Sequence, residues 1–390
     1  MCGLFYWRKH VQKYIILVLT AWLIIGVDLK PSSTQNHLHP NVFNIGVHVK
    51  SPGVCLALDS STGERLRRIT DSAGKPIKLK KPAQRVIPLN VNSFEILRTL
   101  KATDLVVGVT EHIADDSFFY PGFQDYPNIG QRFAINHEMI LACQPDLIIT
   151  STTTRAVDLD NKLVGTGISV VRYDFNRIAT YTDEIKGLAC LLDRERAAAV
   201  YLEFFHAQMD QVRSLIDRIP ENQRPTVYLE TDYGGGNNYM TCGSGHVQHE
   251  LLTAAGGDNI FSDLSAYTAI SPESVIEENP KIIMKYKYPA GHIRRKKDDI
   301  EELKSIQEEI LSRRELSNID AVKNKRVFVF DWYSTRGGAQ YFLCLAQMAK
   351  WLYPDQLQNL NPRKVYARYL KEFQGLDIDL DVYGVFFYPE

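Results

Sequence analysis

RERAAAVYLEFFHAQMDQVRSLIDRI, residues 194–219, is the stretch around which the chain is organised. Its apolar residues recur at helical spacing on one face, and they are Val200, Phe204, Val212, Leu215 and Ile219. Pro220 ends the pattern, and at a rise of about 1.5 Å per residue the helix would span roughly 39 Å. Short β-rich runs alternate with helical segments on both sides of it. The sequence therefore predicts an α/β fold of two lobes, each with a central parallel sheet, bridged by this one long helix.

The composition favours a globular protein with one or two sizeable cores. The chain has 390 residues, 45% of them hydrophobic, and a formal net charge of −1. A nucleic-acid-binding protein would carry a basic excess or a basic stripe, and this sequence shows neither. Nucleic acid is therefore not expected as a partner.

Residues 1–30 have the pattern of a signal peptide or a membrane anchor. Arg8, Lys9 and Lys13 precede a continuous apolar run over residues 14–27. As a helix this run would span about 21 Å, which is short of the roughly 30 Å hydrocarbon core of a bilayer. The pattern predicts export to the periplasm or to the outer face of the cytoplasmic membrane. Cleavage and retention as an anchor both stay open, because no small-residue cleavage site follows the run.

The rest of the chain divides into a tether, two lobes and the bridging helix. Asp71 begins a turn signal between two β-like runs, which predicts a hairpin. A long irregular stretch is expected over residues 110–131. The predicted divisions are a tether over 31–66, a first lobe over 67–193, the connecting helix over 194–219 and a second lobe over 220–390.

Strands alternate with helices in both lobes, which favours parallel sheets. The predicted strands are 86–89, 105–109, 146–150, 168–173, 226–229, 281–286 and 326–330. The predicted helices are 94–100, 136–143, 178–192, 246–255, 271–278, 298–312, 339–353 and 362–373. Open α/β sheets bind ligands beyond the carboxyl ends of their strands, so the site is expected in the loops that follow these strands.

The cysteines indicate neither structural zinc nor thioredoxin-like chemistry, because no C-x-x-C pair occurs. One or two disulfides are compatible with export. Cys143 and Cys190 stand in apolar helical contexts, where the sequence predicts buried small hydrophobic residues. The other cysteines beyond the N-terminal segment are Cys55, Cys242 and Cys344.

Several segments resemble one family in the order in which that family carries them. They are TDSAGKPIKLKKPAQRVIPL, EILRTLKATDLVVGV, NHEMILACQPDLIIT, HELLTAAGGDNIF, ISPESVIEENPKIIM and IDAVKNKRVFVFD. The chain thus resembles, over about residues 66–355, the ABC-transporter substrate-binding proteins that carry iron–siderophore complexes, haem and cobalamin. The resemblance implies two rigid lobes bridged by one helix, cargo in the cleft between them, and delivery to a membrane permease with its ATPase.

The resemblance also implies a docking role for one acidic residue on each lobe. In this family such residues enter arginine pockets of the permease, and the matching positions are Glu138 in NHEMILACQPDL and Glu273 in SPESVIEENP. A carboxylate in the first helical turn is stabilised by the helix dipole and can accept a bidentate arginine. Taken singly, each residue is also explained as an ordinary charge at a helix N-terminus.

Candidate cargo contacts follow from loop position, because the cargo residues of the family vary with the ligand. Aromatic, amide and guanidinium side chains are concentrated after the predicted strands, and the candidates are Tyr120, Tyr233, Asn238, Trp332, Tyr333 and Arg336. Aromatic faces suit a flat or bulky chelate, and Arg336 suits an acidic one. Packing at the rim of the cleft is the alternative explanation for each aromatic residue taken alone.

Three alternatives stay open beside an importer component. Catalysis would need a recognisable motif, and the glycine run 234–236 belongs to neither a phosphate-binding loop nor a nucleophile elbow. An exported chelate scavenger or sensor of the same fold is the second alternative. Direct metal ligation is the third, and its incomplete set of candidates is His112, Asp115, Asp116, His246, His249 and His292.

The sequence therefore predicts a non-enzymatic, extracytoplasmic substrate-binding component of an ABC importer. Its cargo is expected to be an iron or other metal chelate of the siderophore, corrinoid or haem class, with no resident cofactor or metal. The expected partners are this chelate, a permease with its ATPase, and the membrane through the N-terminal segment.

Overall fold

The computed structural model describes most of the chain from Cys55 onward. The described residues are 55–58, 65–131, 134–153, 157–232, 239–265, 267–287, 300–331, 341–383 and 386–389, and they belong to one compact unit. The predicted signal segment and most of the predicted tether lie outside them. No helix within these ranges is both long enough and apolar enough to cross a membrane.

The elements alternate as the sequence predicts. The strands are β1 Leu56–Leu58, β2 Arg65–Thr70, β3 Pro76–Leu79, β4 Val86–Pro88, β5 Gly130–Gln131, β6 Ala134–Ile135, β7 Leu147–Thr150, β8 Ser169–Arg172, β9 Thr226–Thr231, β10 Met240–Thr241, β11 Asp258–Asn259, β12 Thr268–Ala269, β13 Ile282–Lys287, β14 Val327–Asp331 and β15 Phe387–Tyr388. The α-helices are α1 Val91–Thr99, α2 Glu111–Asp115, α3 His137–Ala142, α4 Val157–Lys162, α5 Ile178–Leu192, α6 Glu195–Ile216, α7 Val247–Ala254, α8 Pro272–Glu278, α9 Ile300–Leu311, α10 Asp320–Lys323, α11 Tyr341–Leu352, α12 Pro362–Phe373 and α13 Leu380–Tyr383. Short 3-10 helices occupy Thr103–Leu105 and Glu221–Gln223.

The first lobe is built on the parallel sheet β4-β7-β8. Its central strand β7, with sequence LIIT, is buried along its whole length, as expected for a strand covered on both faces. Leu147 pairs with Val86 on one side and with Ser169 on the other. All three strands run in the same direction, so their carboxyl ends share one edge of the sheet.

The second lobe is built on a larger sheet with the order β12-β10-β9-β13-β14-β15, in which β11 also pairs with β9. Strands β9, β13 and β14 are parallel and mostly buried. Strands β10 and β15 run antiparallel to this centre. The two parallel sheets confirm the predicted α/β class.

Helix α6 confirms the predicted bridging helix, but its buried face differs from the prediction. Val200 is 56% exposed, whereas Val212 and the neighbouring Tyr201 are buried. The ring of Tyr201 packs against Tyr181 of α5 and Phe373 of α12, with centroids 6.4 and 5.3 Å away. These aromatic contacts on two sides of the helix set its rotation, and Val200 is therefore turned outward.

Two predictions in the first lobe are corrected by the structure. Residues 105–109 form no continuous strand, and Val106 makes only an isolated bridge with Val86. The stretch 110–131 is not irregular throughout, because it contains α2 and ends with β5. Ile113 of α2 is fully buried, so the stretch folds back onto the core.

A disulfide joins Cys55 to Cys190 and corrects the expectation that Cys190 is a simple buried hydrophobic residue. Strand β1 pairs with β2, and β2 packs on α5, which brings Cys55 to the end of that helix. Arg67 of β2 donates a hydrogen bond to the carbonyl of Cys190. Residues 55–58, at the end of the predicted tether, therefore belong to the folded unit. The remaining described cysteines are buried and form no disulfide, namely Cys143, Cys242 and Cys344.

Candidate functional site

The carboxyl ends of β9, β13 and β14 lie side by side at one edge of the second sheet. Tyr286 of β13 pairs with Thr231 of β9, and Lys287 pairs with Asp331 of β14. Thr231 and Asp331 are buried, with 1% and 3% exposure. Neighbouring strands lie about 4.8 Å apart, so the loops that follow the three strands begin within roughly 10 Å of one another.

Most of the predicted cargo contacts belong to the loops that begin at this edge. They lie outside the described residues, and they are Tyr233, Asn238, Trp332, Tyr333 and Arg336. The structure does bring together the strand ends from which their loops start. The contact roles of these side chains stay predictions.

Tyr120 is the one predicted cargo contact within the described residues, and it lies in the core of the first lobe. Its side chain has 0% exposure, and its hydroxyl donates a hydrogen bond of 3.2 Å to Oε1 of Glu95. Its ring packs edge to face against Phe94, with centroids 5.2 Å apart. Cargo contact would require exposure of this hydroxyl, and the ligand role of Tyr120 stays a prediction.

A buried ionic network lies directly beneath the edge of the second sheet. Glu230 is fully buried and accepts hydrogen bonds from both terminal nitrogens of Arg313, with Nη2 at 2.9 Å, and from Nζ of Lys285 at 3.1 Å. Burial alone would raise the pKa of Glu230, but the hydrogen bonds and charges of its two cationic partners outweigh it and lower the pKa. The guanidinium of Arg313 also lies over the ring of Tyr239, 4.9 Å from the centroid.

This network fixes both ends of the loop that carries Tyr233 and Asn238. Glu230 lies just before that loop, and Tyr239 follows it directly. Besides its contact with Arg313, Tyr239 donates a hydrogen bond of 2.6 Å to Glu315. The sequence pattern does not predict this network, because Glu230 and Lys285 stand within β-rich runs and Arg313 follows a charged helix.

The equivalent edge of the first sheet carries a polar group that was not among the residues predicted from the sequence. Asp174, after β8, accepts a hydrogen bond of 2.8 Å from the backbone N–H of Thr152, after β7. The side-chain amide of Asn92 donates to the carbonyl of Asp174 at 3.2 Å. Thr152 is exposed, and Asn92 and Asp174 are half-buried. Thr152 and Asp174 each follow a predicted strand closely, and this position in the sequence could have marked them as candidate site residues.

The histidine candidates for metal ligation do not assemble into a ligand set within the described residues. The ring of His246 packs on Tyr267 with centroids 4.2 Å apart, and Nδ1 of His249 lies 3.1 Å from the amide nitrogen of Asn259. Burial lowers the pKa of both histidines. Over the same ranges the only triad of potential ligand atoms within 4.8 Å of one another is Cys55, Cys190 and Glu195, whose two sulfurs are bonded in the disulfide. His292 lies outside the described residues.

Arg177 connects the first lobe to the second near these histidines. Its Nη1 donates a hydrogen bond of 2.7 Å to the carbonyl of Gly245, and its guanidinium forms an ion pair with Glu250 of α7. Burial raises the pKa of Glu250, and the charge of Arg177 only partly offsets this effect. The ion pair is therefore a half-buried contact between the lobes.

The two predicted docking residues occupy corresponding positions in the two lobes. Glu138 lies in the first turn of α3, and Glu273 lies in the first turn of α8. Each helix begins with a capped turn, since the side chain of Asn136 accepts from the N–H of Met139 and that of Ser271 accepts from the N–H of Ser274. Both carboxylates are exposed, and neither has a hydrogen-bond or ion-pair partner among the described residues.

Two α/β lobes with parallel sheets, joined by one long helix, form the architecture that is typical of two-lobe solute-binding proteins. Residues 86–333 match the sequence profile of the periplasmic binding proteins, which is more than half of the chain. The chain belongs to this family of extracytoplasmic solute-binding proteins, which work with a permease.

Individual relatives agree with this assignment. The chain is 27% identical to the vitamin B12-binding protein of Salmonella choleraesuis over 203 residues, which cover 52% of this chain and 72% of the relative. It is 21% identical over 295 residues to an uncharacterized ABC transporter substrate-binding lipoprotein of Bacillus subtilis, covering 74% of this chain and 85% of that one. The crystal structure of the TroA-like periplasmic binding protein FepB from Veillonella parvula has the same fold, with a TM-score of 0.65, 23% identity and coverage of 82% and 98%.

Proposed function

We propose that this protein is the substrate-binding component of an ABC importer for a metal chelate of the siderophore, corrinoid or haem class. It binds the chelate at the carboxyl edges of its sheets and delivers it to the permease without chemical conversion. The observation that carries the proposal is the membership of residues 86–333 in the periplasmic binding protein family. The vitamin B12-binding relative supports a corrinoid as the first cargo to test.

The cargo class rests on the side chains that follow the strands of the second lobe. Trp332 and Tyr333 offer aromatic faces to a flat or bulky chelate, and Arg336 offers a charge to its acidic groups. Tyr233 and Asn238 belong to the loop whose flanking residues the Glu230 network holds. We include the polar group of the first lobe in the same site, and it consists of Asn92, Thr152 and Asp174.

We propose that the protein acts outside the cytoplasm, with residues 1–30 directing its export. The disulfide between Cys55 and Cys190 supports this location, since structural disulfides persist mainly in oxidising compartments. It also ties the chain that follows the N-terminal segment to α5. Retention of residues 1–30 as an anchor would therefore attach the folded unit to the membrane through a short tether.

We further propose that Glu138 and Glu273 dock the two lobes onto arginine pockets of the permease. The support is their exposure, their unpaired state among the described residues and their corresponding positions in α3 and α8. An exposed carboxylate without an internal partner can accept a bidentate guanidinium without first breaking a hydrogen bond or ion pair within the protein. Docking of both lobes together would open the cleft and release the cargo.

Cargo binding is tested by tryptophan fluorescence during titration with cobalamin, haem, ferric siderophores and free metal ions. Trp351 is 5% exposed and stacks on Phe328, with ring centroids 4.7 Å apart, so it supplies a constant background. We expect saturable quenching by one chelate, and a smaller signal and weaker binding in Trp332→Ala. A response only to a bare metal ion, or to nothing in the panel, would refute the chelate proposal.

Docking is tested by the paired charge reversal Glu138→Lys with Glu273→Lys. We expect transport into proteoliposomes that contain the permease and ATPase to be abolished, with cargo affinity unchanged. Glu203→Lys with Glu221→Lys is the matched control, because these glutamates are also exposed but lie on α6 and in the 3-10 helix after it. Normal transport by the Glu138 and Glu273 variant would end the docking proposal.

A further inference from the structure

An exposed aliphatic side chain lies one helical turn after each proposed docking carboxylate. Leu141 follows Glu138 in α3 and is 45% exposed, and Ile276 follows Glu273 in α8 and is 39% exposed. Residues three positions apart are neighbours on the surface of a helix. Each helix therefore presents a carboxylate and an aliphatic group on the same exposed face.

Neither aliphatic side chain anchors its helix to the core. Ile140 and Val275, one position earlier in each helix, are fully buried and belong to the hydrophobic cores beneath α3 and α8. Leu141 and Ile276 remain outside these cores. A single exposed aliphatic residue needs no explanation, but the same pair of groups at the same position in both lobes does.

The backbone repeats around both helices. The capping residues, Asn136 and Ser271, stand two positions before the carboxylates. Each helix is followed by a residue in the left-handed region, Gln144 with φ 46° or Asn279 with φ 41°, and then by a proline. The next element in each lobe is a strand with parallel partners on both sides, β7 or β13. The two exposed faces therefore have the same relation to their own sheets.

We propose that Leu141 and Ile276 are the apolar half of the docking surface, and this inference rests on the proposed docking role of Glu138 and Glu273. The partner that fits is a permease surface on which each arginine pocket adjoins an apolar patch, presented once for each lobe. The negative charge of each face selects the guanidinium, and the aliphatic group contacts the apolar patch beside it. Salt screens the exposed ionic contact but leaves the apolar contact in place.

The salt dependence of binding to the permease distinguishes the ionic contacts of the two glutamates from the apolar contacts of Leu141 and Ile276. The experiment measures binding of the full-length, cargo-free protein to the purified permease–ATPase complex by surface plasmon resonance at several salt concentrations. We expect Leu141→Gln with Ile276→Gln to weaken binding on the order of tenfold or more at every salt concentration, because two apolar contacts are lost. Neutralisation by Glu138→Gln with Glu273→Gln should instead remove most of the salt dependence, because no carboxylate is left for salt to screen.

Two sets of control variants make the result specific. Leu141→Met with Ile276→Leu keeps apolar character and approximate volume, so binding should be retained. Val164→Gln with Val200→Gln alters aliphatic residues that are exposed at 78% and 56% outside α3 and α8, and should leave binding unchanged. Thermal unfolding of each variant establishes that the fold is intact.

Each outcome bears on a different claim. Normal binding by the glutamine pair, with binding abolished by charge reversal of Glu138 and Glu273, would overturn the apolar contact and leave the docking proposal standing. Normal binding by the charge-reversal variant would overturn both. Equal loss in the control pair at Val164 and Val200 would show a general surface effect and would also overturn the inference.

Discussion

Arg98 of α1 and Gln374, which directly follows α12, are joined by a hydrogen bond of 2.7 Å between Nε and Oε1, although 276 positions separate them in sequence. The amide nitrogen of Gln374 donates to Oγ1 of Thr99 at 2.7 Å and to the carbonyl of Glu95 at 3.1 Å. Gln374 is 3% exposed. The chain segment between β14 and β15 is thus fastened to the first lobe, in addition to the bridging helix α6. This second connection limits the hinge movement available to the lobes.

Substitution of Gln374 by leucine should destabilise the protein measurably. It removes three hydrogen bonds at a buried position, one of them from the charged guanidinium of Arg98, so we expect the free energy of unfolding to fall by about 2–4 kcal/mol. Urea denaturation measures the change. Gln211→Leu, at an exposed position of α6, is the control and should stay close to wild type. Equal effects of the two substitutions would argue against the fastening role.

Removal of the disulfide should lower stability through the unfolded state. Cys55 and Cys190 are separated by 135 positions, and cross-linking a long loop restricts the unfolded chain. We expect the variant Cys55→Ser with Cys190→Ser to lose about 2–4 kcal/mol, measured by thermal or chemical denaturation. A reducing agent should destabilise the wild type to a similar extent and leave the double variant unaffected. Sensitivity of the double variant to reduction would contradict the assignment.

Glu230 should make stability dependent on acid pH. Glu230→Gln removes the buried counter-charge of Lys285 and leaves Arg313 paired with the half-exposed Glu309, and we expect a loss of about 3–5 kcal/mol at neutral pH. Because the folded-state pKa of Glu230 is lowered, its ionised form contributes stability that is present above the ordinary carboxyl pKa. This contribution is lost as the pH falls through the lowered value. Denaturation curves should therefore show the wild type and the variant converging in acid.

Glu309→Gln is the matched control for Glu230→Gln. Glu309 pairs with the same arginine, Arg313, but its side chain is 47% exposed. An exposed pair of this kind contributes up to about 1 kcal/mol. A loss as large as that of Glu230→Gln would show that burial is not the reason for the effect.

A β-carbon at position 187 should fit only if the side chain of Tyr173 moves. A β-carbon at this position of α5 would clash with the hydroxyl of Tyr173 and lie 3.0 Å from its Cζ. We expect Gly187→Ala to reduce the free energy of unfolding by about 1–3 kcal/mol, despite the higher helix propensity of alanine. Tyr173→Phe in the same chain should restore part of the loss, as measured by thermal denaturation. Lys186→Ala, one residue earlier and exposed, should have little effect.

Local signals predicted the elements well, and contacts distant in sequence account for the errors. The capping serine Ser271 with Pro272 fixed the start of α8 within one residue, because capping acts within one turn. Residues 105–109 have the composition of a strand, but pairing with β4 is limited to one bridge. The partner of Cys190 depends on the packing of β2 against α5, which no spacing in the sequence reveals.

In the candidate site too, features set by local sequence were predictable, and features set by contacts distant in sequence were not. The strands that lead into the loops with Trp332 and Arg336 were predictable, because their buried runs end at recognisable positions. The core location of Tyr120 was not, since it depends on the return of residues 110–131 to the first lobe. Buried charged groups such as Glu230 also escape sequence analysis, because their partners come from other elements.

Strand β15 has a consequence for the order in which the second lobe can fold. Phe387 and Tyr388 pair antiparallel with Phe330 and Val329, and they cover the free backbone edge of β14. The ribosome makes α11, α12 and α13 between β14 and β15, so a nascent chain carries this edge open through all of them. An open strand edge invites pairing with other chains. A late closing strand thus delays completion of the sheet, and the edge of β14 stays open to pairing with other chains while α11, α12 and α13 are made.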